Sequence, residues 1–249
     1  MAEKVKVKDE SDRIGTMFKA GAHFGYSRSR RHPSVTAYIF GAKNRVEIFD
    51  LEETDKLLGA AKGFAQELGR DGKKILFVGG KPEARDAVER AAVSLGMPFV
   101  AGRWIGGTIT NWNEIKKRLE RLADLSGQRE RGELSKYTKK ERLMIDREIA
   151  NLEQNFNGIR DMKELPKALF IIDTREEDAA TTEARKAGIP TIGLLNSDCN
   201  ASEVTYPILG NDATVQSIGF FIEEIASAYA EGKKELTTNN AQPVTAVKE

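Results

Sequence analysis

Two apolar runs constrain the fold of this chain most, because both have the composition of buried parallel strands. Residues 74–80 are Lys-Ile-Leu-Phe-Val-Gly-Gly, and residues 166–173 are Pro-Lys-Ala-Leu-Phe-Ile-Ile-Asp. Strands that are covered on both faces form continuous apolar runs rather than alternating ones. Each run is followed by a helical pattern and then by a further short strand, at 98–100 and 188–195. Strand–helix–strand units of this kind predict a doubly wound α/β domain with a parallel sheet.

The stretch at residues 103–112, Arg-Trp-Ile-Gly-Gly-Thr-Ile-Thr-Asn-Trp, holds both tryptophans of the chain. After it come more than fifty highly charged residues with almost no glycine or proline. We expect the paired glycines to turn the chain out of the sheet and the threonine or asparagine to cap the next helix. The first tryptophan is expected to pack the base of that helix on the sheet rather than to stack on a nucleobase. The residues predicted to form this joint are Trp104, Gly106, Gly107, Thr110 and Asn111.

Residues 111–165 are predicted to form an inserted helical hairpin. Apolar residues recur at spacings of three and four in two segments, which are separated by a polar tip at 126–137. Each segment has a narrow apolar seam among Lys, Arg and Glu, which is typical of paired antiparallel helices. The second helix begins at a capping box, Thr138-Lys-Lys-Glu141. The two seams are Trp112, Ile115, Leu119 and Leu122, and Ile145, Ile149, Leu152 and Phe156.

Three further helices have apolar faces that are predicted from spacings of three and four. The first is expected to begin at Ser11 and to end at Gly21. The residues predicted to face inward are Ile14, Met17 and Phe18 in the first helix, Ala84, Ala87, Val88, Ala91, Val93 and Leu95 in the second, and Val215, Ile218, Phe221, Ile222, Ile225 and Tyr229 in the last. Another helix is predicted from Asp178 to Ala187, and the Asn- and Asp-rich residues 196–212 are predicted to be a loop.

The chain is predicted to have one α/β domain that is interrupted by the hairpin. Its first ten residues are charged and lack helical spacing, so we expect a flexible arm. Its end is low in complexity from Thr237, which is typical of disorder. The predicted parts are an arm at 1–10, the α/β domain at 11–110 and 166–232, the hairpin at 111–165 and a disordered tail at 233–249.

Charge is distributed unevenly along a chain whose net charge is only +1. Residues 1–50 carry ten Lys or Arg and six Asp or Glu, whereas residues 166–249 carry seven and thirteen. Such asymmetry indicates one face for a polyanion, although chance variation of solvated surfaces is the alternative. No run of 18 apolar residues is present and no secretion signal is evident, so we expect no membrane association. The single Cys199 cannot form an internal disulfide and fits a reducing cytoplasm.

The basic residues near the N-terminus are the strongest candidates for contacts with RNA. Residues 22–33 place three arginines among serines, beside both histidines, Phe24 and Tyr26. Guanidinium groups pair with phosphates and stack on bases, and aromatic faces accept splayed bases. A solvated loop is the alternative. The two histidines are a poor metal site, because they lie nine residues apart without a carboxylate or cysteine framework.

A predicted β-hairpin at residues 38–51 adds to this basic region. Its turn is expected at Gly41–Arg45, with Lys43 and Arg45 exposed at the tip. The residues predicted to bind RNA are Arg28, Arg30, Arg31, His32, Lys43, Arg45 and Arg103, with the hairpin residues Lys116, Lys117, Lys139 and Lys140 behind them.

Candidates for catalysis are few. The turn Gly79-Gly80-Lys81 precedes a helix and offers backbone amides to a phosphate, but it lacks the specific phosphate-binding motifs. Asp173, Asp198, Cys199 and Asp212 are predicted to lie near strand carboxyl ends, where open α/β sheets bind ligands. Their carboxylates are an alternative site for a divalent cation. Since Cys199 has no base partner in the sequence, we predict no catalytic site. We also predict no metal site and no cofactor.

In several segments the chain resembles the bacterial form of the family of small-subunit ribosomal protein two. These segments run in order over about residues 12–232, and the Trp-Ile-Gly-Gly block is the most specific. They are Ala-Gly-Ala-His-Phe-Gly (20–25), Tyr-Ile-Phe-Gly (38–41), Ile-Leu-Phe-Val-Gly (75–79), Arg-Trp-Ile-Gly-Gly-Thr-Ile-Thr-Asn (103–111), Lys-Lys-Glu (139–141), Gly-Ile-Arg-Asp-Met (158–162), Leu-Phe-Ile-Ile-Asp (169–173), Gly-Ile-Pro (188–190) and Gly-Asn-Asp (210–212). The long hairpin is similar to that of bacterial members.

The resemblance implies a flavodoxin-like (Rossmann-like) three-layer α/β sandwich with a parallel sheet and an inserted antiparallel, coiled-coil-like hairpin. It implies a structural constituent of the small ribosomal subunit, in the cytoplasm, that binds small-subunit ribosomal RNA at the junction of head and body. Implied partners are neighbouring small-subunit ribosomal proteins, including ribosomal protein one, whose recruitment supports initiation. The resemblance implies neither a membrane nor a small-molecule substrate, and no obligate homo-oligomer.

The chain departs from the family pattern at four places. Tyr26 stands where histidine is usual, Gly80 where threonine is common, and Asp212-Ala where Asp-Asp is common. Residues 196–201 replace an Asp-Thr-Asn-Cys-Asp-Pro-like run. Family contacts and ion binding in the 196–213 loop are therefore not carried over. The rival hypothesis is a free α/β enzyme or regulator that binds a nucleotide or sugar phosphate.

Overall fold

The computed structural model describes residues 13–240, and the side chains of residues 13–236. Residues 13–19 are helical and are termed α1. The other helices are α2 (Leu51–Arg70), α3 (Pro82–Leu95), α4 (Trp112–Glu130), α5 (Lys139–Phe156), α6 (Asp178–Ala187) and α7 (Val215–Asn240). The strands are β1 (Phe24–Ser27), β2 (Ile39–Lys43), β3 (Val46–Phe49), β4 (Ile75–Val78), β5 (Phe99–Val100), β6 (Ala168–Ile172), β7 (Thr191–Leu195) and β8 (Tyr206–Leu209). The predicted arm at 1–10 and the predicted cap Ser11 lie outside the described residues.

Five parallel strands form the central sheet, in the order β5-β4-β6-β7-β8. Because β4 is its first strand along the chain, this order is that of flavodoxin-like sheets. Helices α2, α3 and α7 cover one face, where they pack on Phe77 and Phe170. The other face packs through Leu76 and Ile171 against α6 and the bases of α4 and α5. The predicted three-layer α/β sandwich is confirmed.

Strand β8 lies within residues 196–212, so the prediction that this whole stretch is a loop is wrong. The sequence disfavours a strand here because Pro207 has no N–H to donate to a ladder. Since β8 is the outermost strand and pairs only with β7, one side of its backbone needs no partner. Proline is therefore tolerated, while Ile208 and Leu209 are buried.

A second, antiparallel sheet has the order β1-β3-β2 and is termed the small sheet. Its inner face packs on the carboxyl ends of β7 and β8, where Phe49 joins Leu195 and Leu209. Strand β1 lies within residues 22–33, which are predicted to be a loop. That prediction is wrong for residues 24–27, because they pair with β3 despite their serine and glycine content.

The turn of the β2–β3 hairpin is shorter than predicted. Gly41 pairs with Ile48 inside the ladder, so the turn does not begin there. Only Asn44 and Arg45 connect the strands, and both have left-handed backbone angles, with φ of 52° and 68°. Two-residue turns of this handedness match the twist of antiparallel strands, which explains the short connection.

Helices α4 and α5 are inserted between β5 and β6. The start of α4 and the end of α5 both lie on the central sheet, where Ile115 and Phe156 join one core. Farther out, Leu122, Leu125 and Ile149 form a small core of their own. The chain therefore leaves and returns at the same place, as an antiparallel hairpin requires.

The observed end of α4 and start of α5 can be compared with the predicted tip of the hairpin at 126–137. The capping box at Thr138 and Glu141 is confirmed, since each side chain accepts a hydrogen bond from the other residue's backbone N–H. The predicted tip at 126–137 begins too early, because α4 continues through Ser126 and Gly127 to Glu130. Ser126 is buried, so packing outweighs the weak helix propensity of this pair.

Three residues predicted to face the core are exposed instead. Phe18 is 61%, Val93 64% and Val215 56% exposed. Each lies at or within two residues of a helix end. Met17 and Ala92, the neighbours of Phe18 and Val93, are fully buried, so Phe18 and Val93 lie beside the buried face of their helices and not on it. At the C-terminus the predicted disordered tail from 233 is wrong as far as Asn240, because α7 continues to that residue.

Candidate nucleic-acid interface

One end of the small sheet gathers three of the predicted RNA-binding residues. Ser27 of β1 lies opposite Val46 of β3, and Val46 lies opposite Lys43 of β2. Arg28 directly follows Ser27, and Arg45 directly precedes Val46. Arg28, Lys43 and Arg45 therefore lie at the same end of three adjacent strands, and we term them the basic row.

The basic row is exposed to solvent at each of its three residues. Among residues 13–236, none of the three forms an ion pair with a carboxylate. Three unneutralised cations at one end of adjacent strands create a local positive potential that attracts a polyanion.

Arg31 and His32 have structural partners within the protein. The Arg31 guanidinium lies 3.2 Å from Glu47, whose side chain is only 2% exposed. His32 Nδ1 accepts a hydrogen bond from the backbone N–H of Ser34 at 3.3 Å, and the backbone N–H of His32 donates to the Ser197 carbonyl at 2.7 Å. These two predicted RNA contacts therefore also hold the segment to the domain.

Arg30 belongs to a cluster that the sequence does not reveal. Its guanidinium lies over the Tyr26 ring, 4.4 Å from the ring centre, and 3.2 Å from the Asp198 carboxylate. The same carboxylate oxygen pairs with Arg175 at 2.6 Å. Both arginine side chains are about half exposed, whereas Asp198 is nearly buried. Asp198 thus fixes two guanidinium groups at the surface, and Arg175 is a cation that sequence reasoning missed.

The remaining predicted cations lie elsewhere in the fold. Arg103 follows β5, which is at the opposite edge of the central sheet from β8 and the small sheet. Of the hairpin lysines, Lys117 pairs with Glu114 at 2.6 Å. Arg103, Lys116, Lys139 and Lys140 are exposed. Lys116 and Lys117 lie near the start of α4 at the base of the hairpin, whereas Lys139 and Lys140 begin α5 at its far end. The structure therefore distributes the predicted residues over separate regions and does not bring them into one site.

The joint at 104–111 is held by one carboxylate from α6. Glu183 accepts hydrogen bonds from the indole N–H of Trp104 at 3.1 Å and from the backbone N–H groups of Gly107, Ile109 and Thr110 at 2.7, 3.0 and 3.1 Å. The Thr110 hydroxyl also donates to it, at 3.1 Å. Burial alone raises the pKa of Glu183, but the hydrogen bonds from these residues outweigh burial and lower it.

The predicted roles within the joint need two corrections. Asn111 occupies the cap position of α4, but its side chain makes no cap hydrogen bond, and the Thr110 hydroxyl is bonded to Glu183 instead. Of the two glycines, only Gly107 has a positive φ, of 90°, which favours glycine. The backbone of Gly106 has no positive φ and so does not require a glycine. Trp104 is buried in the core below the hairpin.

A buried ion-pair cluster lies at the carboxyl edge of the central sheet. Lys81, which follows β4, pairs with Asp173 after β6 and with Asp212 after β8, the latter at 3.0 Å. Asp212 also accepts a hydrogen bond from Asn196 at 2.7 Å. Asp173 has a left-handed backbone, with φ of 60°, which is unusual for a residue other than glycine. This cluster ties together the ends of four strands.

Electrostatics in this cluster are dominated by burial and by the paired carboxylates. Burial, with the charge of Asp173, raises the pKa of Asp212 to about 6. Burial lowers the pKa of Lys81, but the two carboxylates outweigh it and raise that pKa. Burial, with the charges of Asp173 and Asp212, raises the pKa of Cys199 to about 12. Cys199 therefore stays a thiol at neutral pH and is not a nucleophile.

The phosphate-binding alternative at Gly79–Lys81 does not fit this geometry. The Gly80 N–H donates to the Glu177 carboxylate at 2.8 Å, and the Lys81 ammonium is paired twice with carboxylates. A phosphate would have to displace these anions. The cation alternative fits no better: ligand atoms of Asp173, Cys199 and Asp212 lie within 4.8 Å of one another, but the Lys81 ammonium already lies between the two carboxylates.

In the part of the chain that the structure describes, no helix is long and apolar enough to cross a membrane.

Comparison with known proteins agrees with the fold. A family model described as ribosomal protein S2 matches residues 17–232. The small ribosomal subunit protein uS2 of a Nitratiruptor species is 40% identical over 218 residues, which are 88% of this chain and 82% of the relative. That of Rhodopirellula baltica is 39% identical over 236 residues, which are 95% and 91%. With a match of this extent, the chain belongs to the ribosomal protein S2 family.

Proposed function

We propose that this chain is a structural constituent of the small ribosomal subunit and that it binds small-subunit ribosomal RNA. Its similar bacterial relatives carry the name of a small ribosomal subunit protein. The observation that carries the RNA-binding proposal is the basic row, where Arg28, Lys43 and Arg45 are exposed at one end of the small sheet.

The basic row suits the backbone of RNA rather than a single small anion. Its cations lie at one end of three neighbouring strands, which are spaced by roughly 4.7–4.9 Å. Long side chains on such a row reach several phosphates at once, and each contact releases counterions. Arg30 and Arg175, held by Asp198, extend this positive surface with planar groups that suit phosphate oxygens.

Further RNA contacts are proposed for Arg103 and for the hairpin residues Lys116, Lys117, Lys139 and Lys140. The joint anchors the base of the hairpin to the central sheet. A protein that contacts RNA at several separated regions links parts of the RNA that are distant from each other. This role is structural and requires no chemistry on a substrate.

The partners implied by the family resemblance are proposed for this chain as well. They are ribosomal RNA at the junction of head and body, neighbouring small-subunit proteins, and ribosomal protein one, which it would recruit. The proposed location is the ribosome in the cytoplasm, with neither a membrane, a small-molecule substrate nor an obligate homo-oligomer. Recruitment is tested by depleting this chain from small subunits and measuring bound ribosomal protein one. Undiminished binding would contradict it.

The rival function, a free enzyme or regulator that binds a nucleotide or sugar phosphate, is not favoured. The ribosomal protein S2 family is structural and not enzymatic. The amide and ammonium groups that a phosphate would need are bonded to Glu177, Asp173 and Asp212.

The RNA-binding proposal is tested with a triple variant of the basic row, Arg28→Ala, Lys43→Ala and Arg45→Ala. Its affinity for small subunits that lack this protein is measured across a salt series. The slope of log affinity against log salt is negative, and each lost phosphate contact makes it less steep by about 0.7–0.9. A control variant with Arg90, Arg185 and Lys186 changed to Ala removes the same charge from α3 and α6. Equal salt slopes for the two variants would show that the basic row does not contact RNA phosphates.

A further inference from the structure

An aromatic column stands beside the basic row. The rings of Phe18 and His23 are stacked, with centroids 4.4 Å apart and planes 9° apart. The Phe24 ring follows at 4.0 Å from the His23 ring, tilted by 40°. Phe18 and Phe24 at the two ends of this column are 61% and 48% exposed, whereas His23 in the middle is buried.

The exposed end at Phe24 borders a hollow of about 270 Å³ on the outer face of the small sheet. Phe24 and Ile48 lie opposite each other across β1 and β3. The hollow thus has an apolar lining from these strands, to which Lys43 and Asn44 add a cation and an amide. Its lining residues are Phe24, Lys43, Asn44, Val46 and Ile48.

We propose that this hollow binds an unpaired base of RNA, stacked on the Phe24 ring. The proposal rests on the RNA-binding function proposed above and names the kind of RNA that the site takes. A base outside a helix offers an apolar face to the ring, a polar edge to the Asn44 amide and a flanking phosphate to Lys43. A fully paired helix has no free base face to offer.

Charge decides between a nucleotide and an apolar protein segment as the occupant. The hollow is lined by Lys43 but by no carboxylate, and Arg45 is adjacent to it in the turn. A purely apolar partner has no group that pairs with these cations. A nucleotide presents both an aromatic face for the ring and a negative phosphate for Lys43. The combination of a ring, an amide and a cation therefore favours RNA.

The test uses the full chain and small ribosomal subunits that lack it. Phe24→Leu keeps an apolar side chain against His23 but removes the ring face, and Phe24→Tyr keeps the ring. Stacking predicts that Phe24→Leu and Phe24→Ala lower the affinity, with about a five- to 150-fold loss for alanine, while Phe24→Tyr retains it. The salt slope stays unchanged in all three, because stacking involves no phosphate. Val93→Ala, which alters an exposed apolar residue of α3, is the control and retains the affinity.

Ultraviolet crosslinking of the wild-type complex identifies the partner. We expect a nucleotide adduct on the peptide that contains Phe24. Retained affinity in Phe24→Leu and Phe24→Ala, or a crosslink of this peptide to a protein instead of RNA, would overturn the proposal. If the wild-type chain itself fails to bind the depleted subunits, the proposed RNA-binding function is contradicted. The base-binding site, which depends on that function, is then contradicted as well.

Discussion

The Glu183 carboxylate accepts a hydrogen bond from the Trp104 indole N–H at 3.1 Å, across 79 positions of sequence. Three backbone N–H groups of the segment that follows Trp104 converge on the same carboxylate. One side chain of α6 therefore fixes the direction in which the chain leaves the sheet and enters the hairpin.

Replacing Glu183 by alanine is expected to destabilise the joint. The change leaves buried donors of Trp104 and of the backbone without an acceptor, which costs about 2–4 kcal/mol in the free energy of unfolding. Urea denaturation measures this loss, and limited proteolysis reports whether the hairpin is the part that loosens. Glu176→Ala, which removes an exposed carboxylate just before α6, is the control. Equal stability of the two variants would refute the role of Glu183.

The two glycines of the joint are expected to respond differently to alanine. Gly107 has φ of 90°, and an added Cβ would lie 3.2 Å from the Cβ of Asn111. Gly107→Ala is therefore expected to cost about 1–2 kcal/mol in thermal or urea unfolding. At Gly106 an added Cβ meets nothing within 4 Å, so Gly106→Ala is expected to stay within about 0.5 kcal/mol of the wild type. The prediction fails if the two variants unfold alike.

Arg31 and Arg28 are expected to separate stability from RNA binding. Arg31→Ala leaves the buried Glu47 carboxylate without its cation, so unfolding should become easier by about 1–3 kcal/mol. Arg28→Ala removes an exposed cation and should leave stability unchanged within about 0.5 kcal/mol. Calorimetry on both proteins checks this. A destabilised Arg28→Ala beside an unaffected Arg31→Ala would reverse the assignment.

Asp212 is expected to make stability depend on pH. Burial and Asp173 raise its folded-state pKa to about 6, above the value of an unfolded aspartate. The folded state therefore binds this proton more tightly, and the stability that the proton confers is complete below about pH 4 and lost as pH rises through 6. The asparagine in Asp212→Asn cannot titrate, so this variant does not lose that stability as pH rises. The difference in free energy of unfolding between the variant and the wild type should therefore shift in favour of the variant by up to about 3 kcal/mol between pH 4 and 8. Parallel stability–pH curves for the two proteins would exclude this titration.

Arg175 is expected to contribute to RNA binding together with Arg30. Asp198 pairs with both and so holds their half-exposed guanidinium groups side by side at the surface. Arg175→Ala should weaken binding to depleted small subunits and make the negative slope of log affinity against log salt less steep by about 0.7–0.9. Arg185→Ala is the matched control, since Arg185 is an exposed arginine that pairs with Glu203 at 3.8 Å. The same salt slope in both variants would remove Arg175 from the interface.

Much of the fold follows from local patterns in the sequence. The runs that become β4 and β6 are continuous and apolar, and the capping box at Thr138 involves residues only three positions apart. Strand β8 is hidden by Pro207, whose effect depends on whether a strand lies at an edge or in the centre of a sheet. That distinction is a property of the assembled sheet and not of the segment.

The site follows from the sequence only in part, because its decisive contacts join distant residues. Composition identifies Arg28, Lys43 and Arg45 as candidates, but only strand pairing shows that they share one end of a sheet. The partner of Lys81 at Asp212 is 131 positions away, and no local spacing signals it. The sequence does predict that Asp173 and Asp212 lie near strand carboxyl ends, but it does not identify Lys81 as the cation between them.

The central claim is tested most directly by sedimenting a lysate of cells that express this chain through a sucrose gradient at low and high salt. We predict that the native protein co-migrates with small ribosomal subunits at low salt and that high salt or the basic-row triple variant releases it. A chain that sediments as a free protein at low salt, or whose association with subunits is indifferent to both changes, would contradict the account.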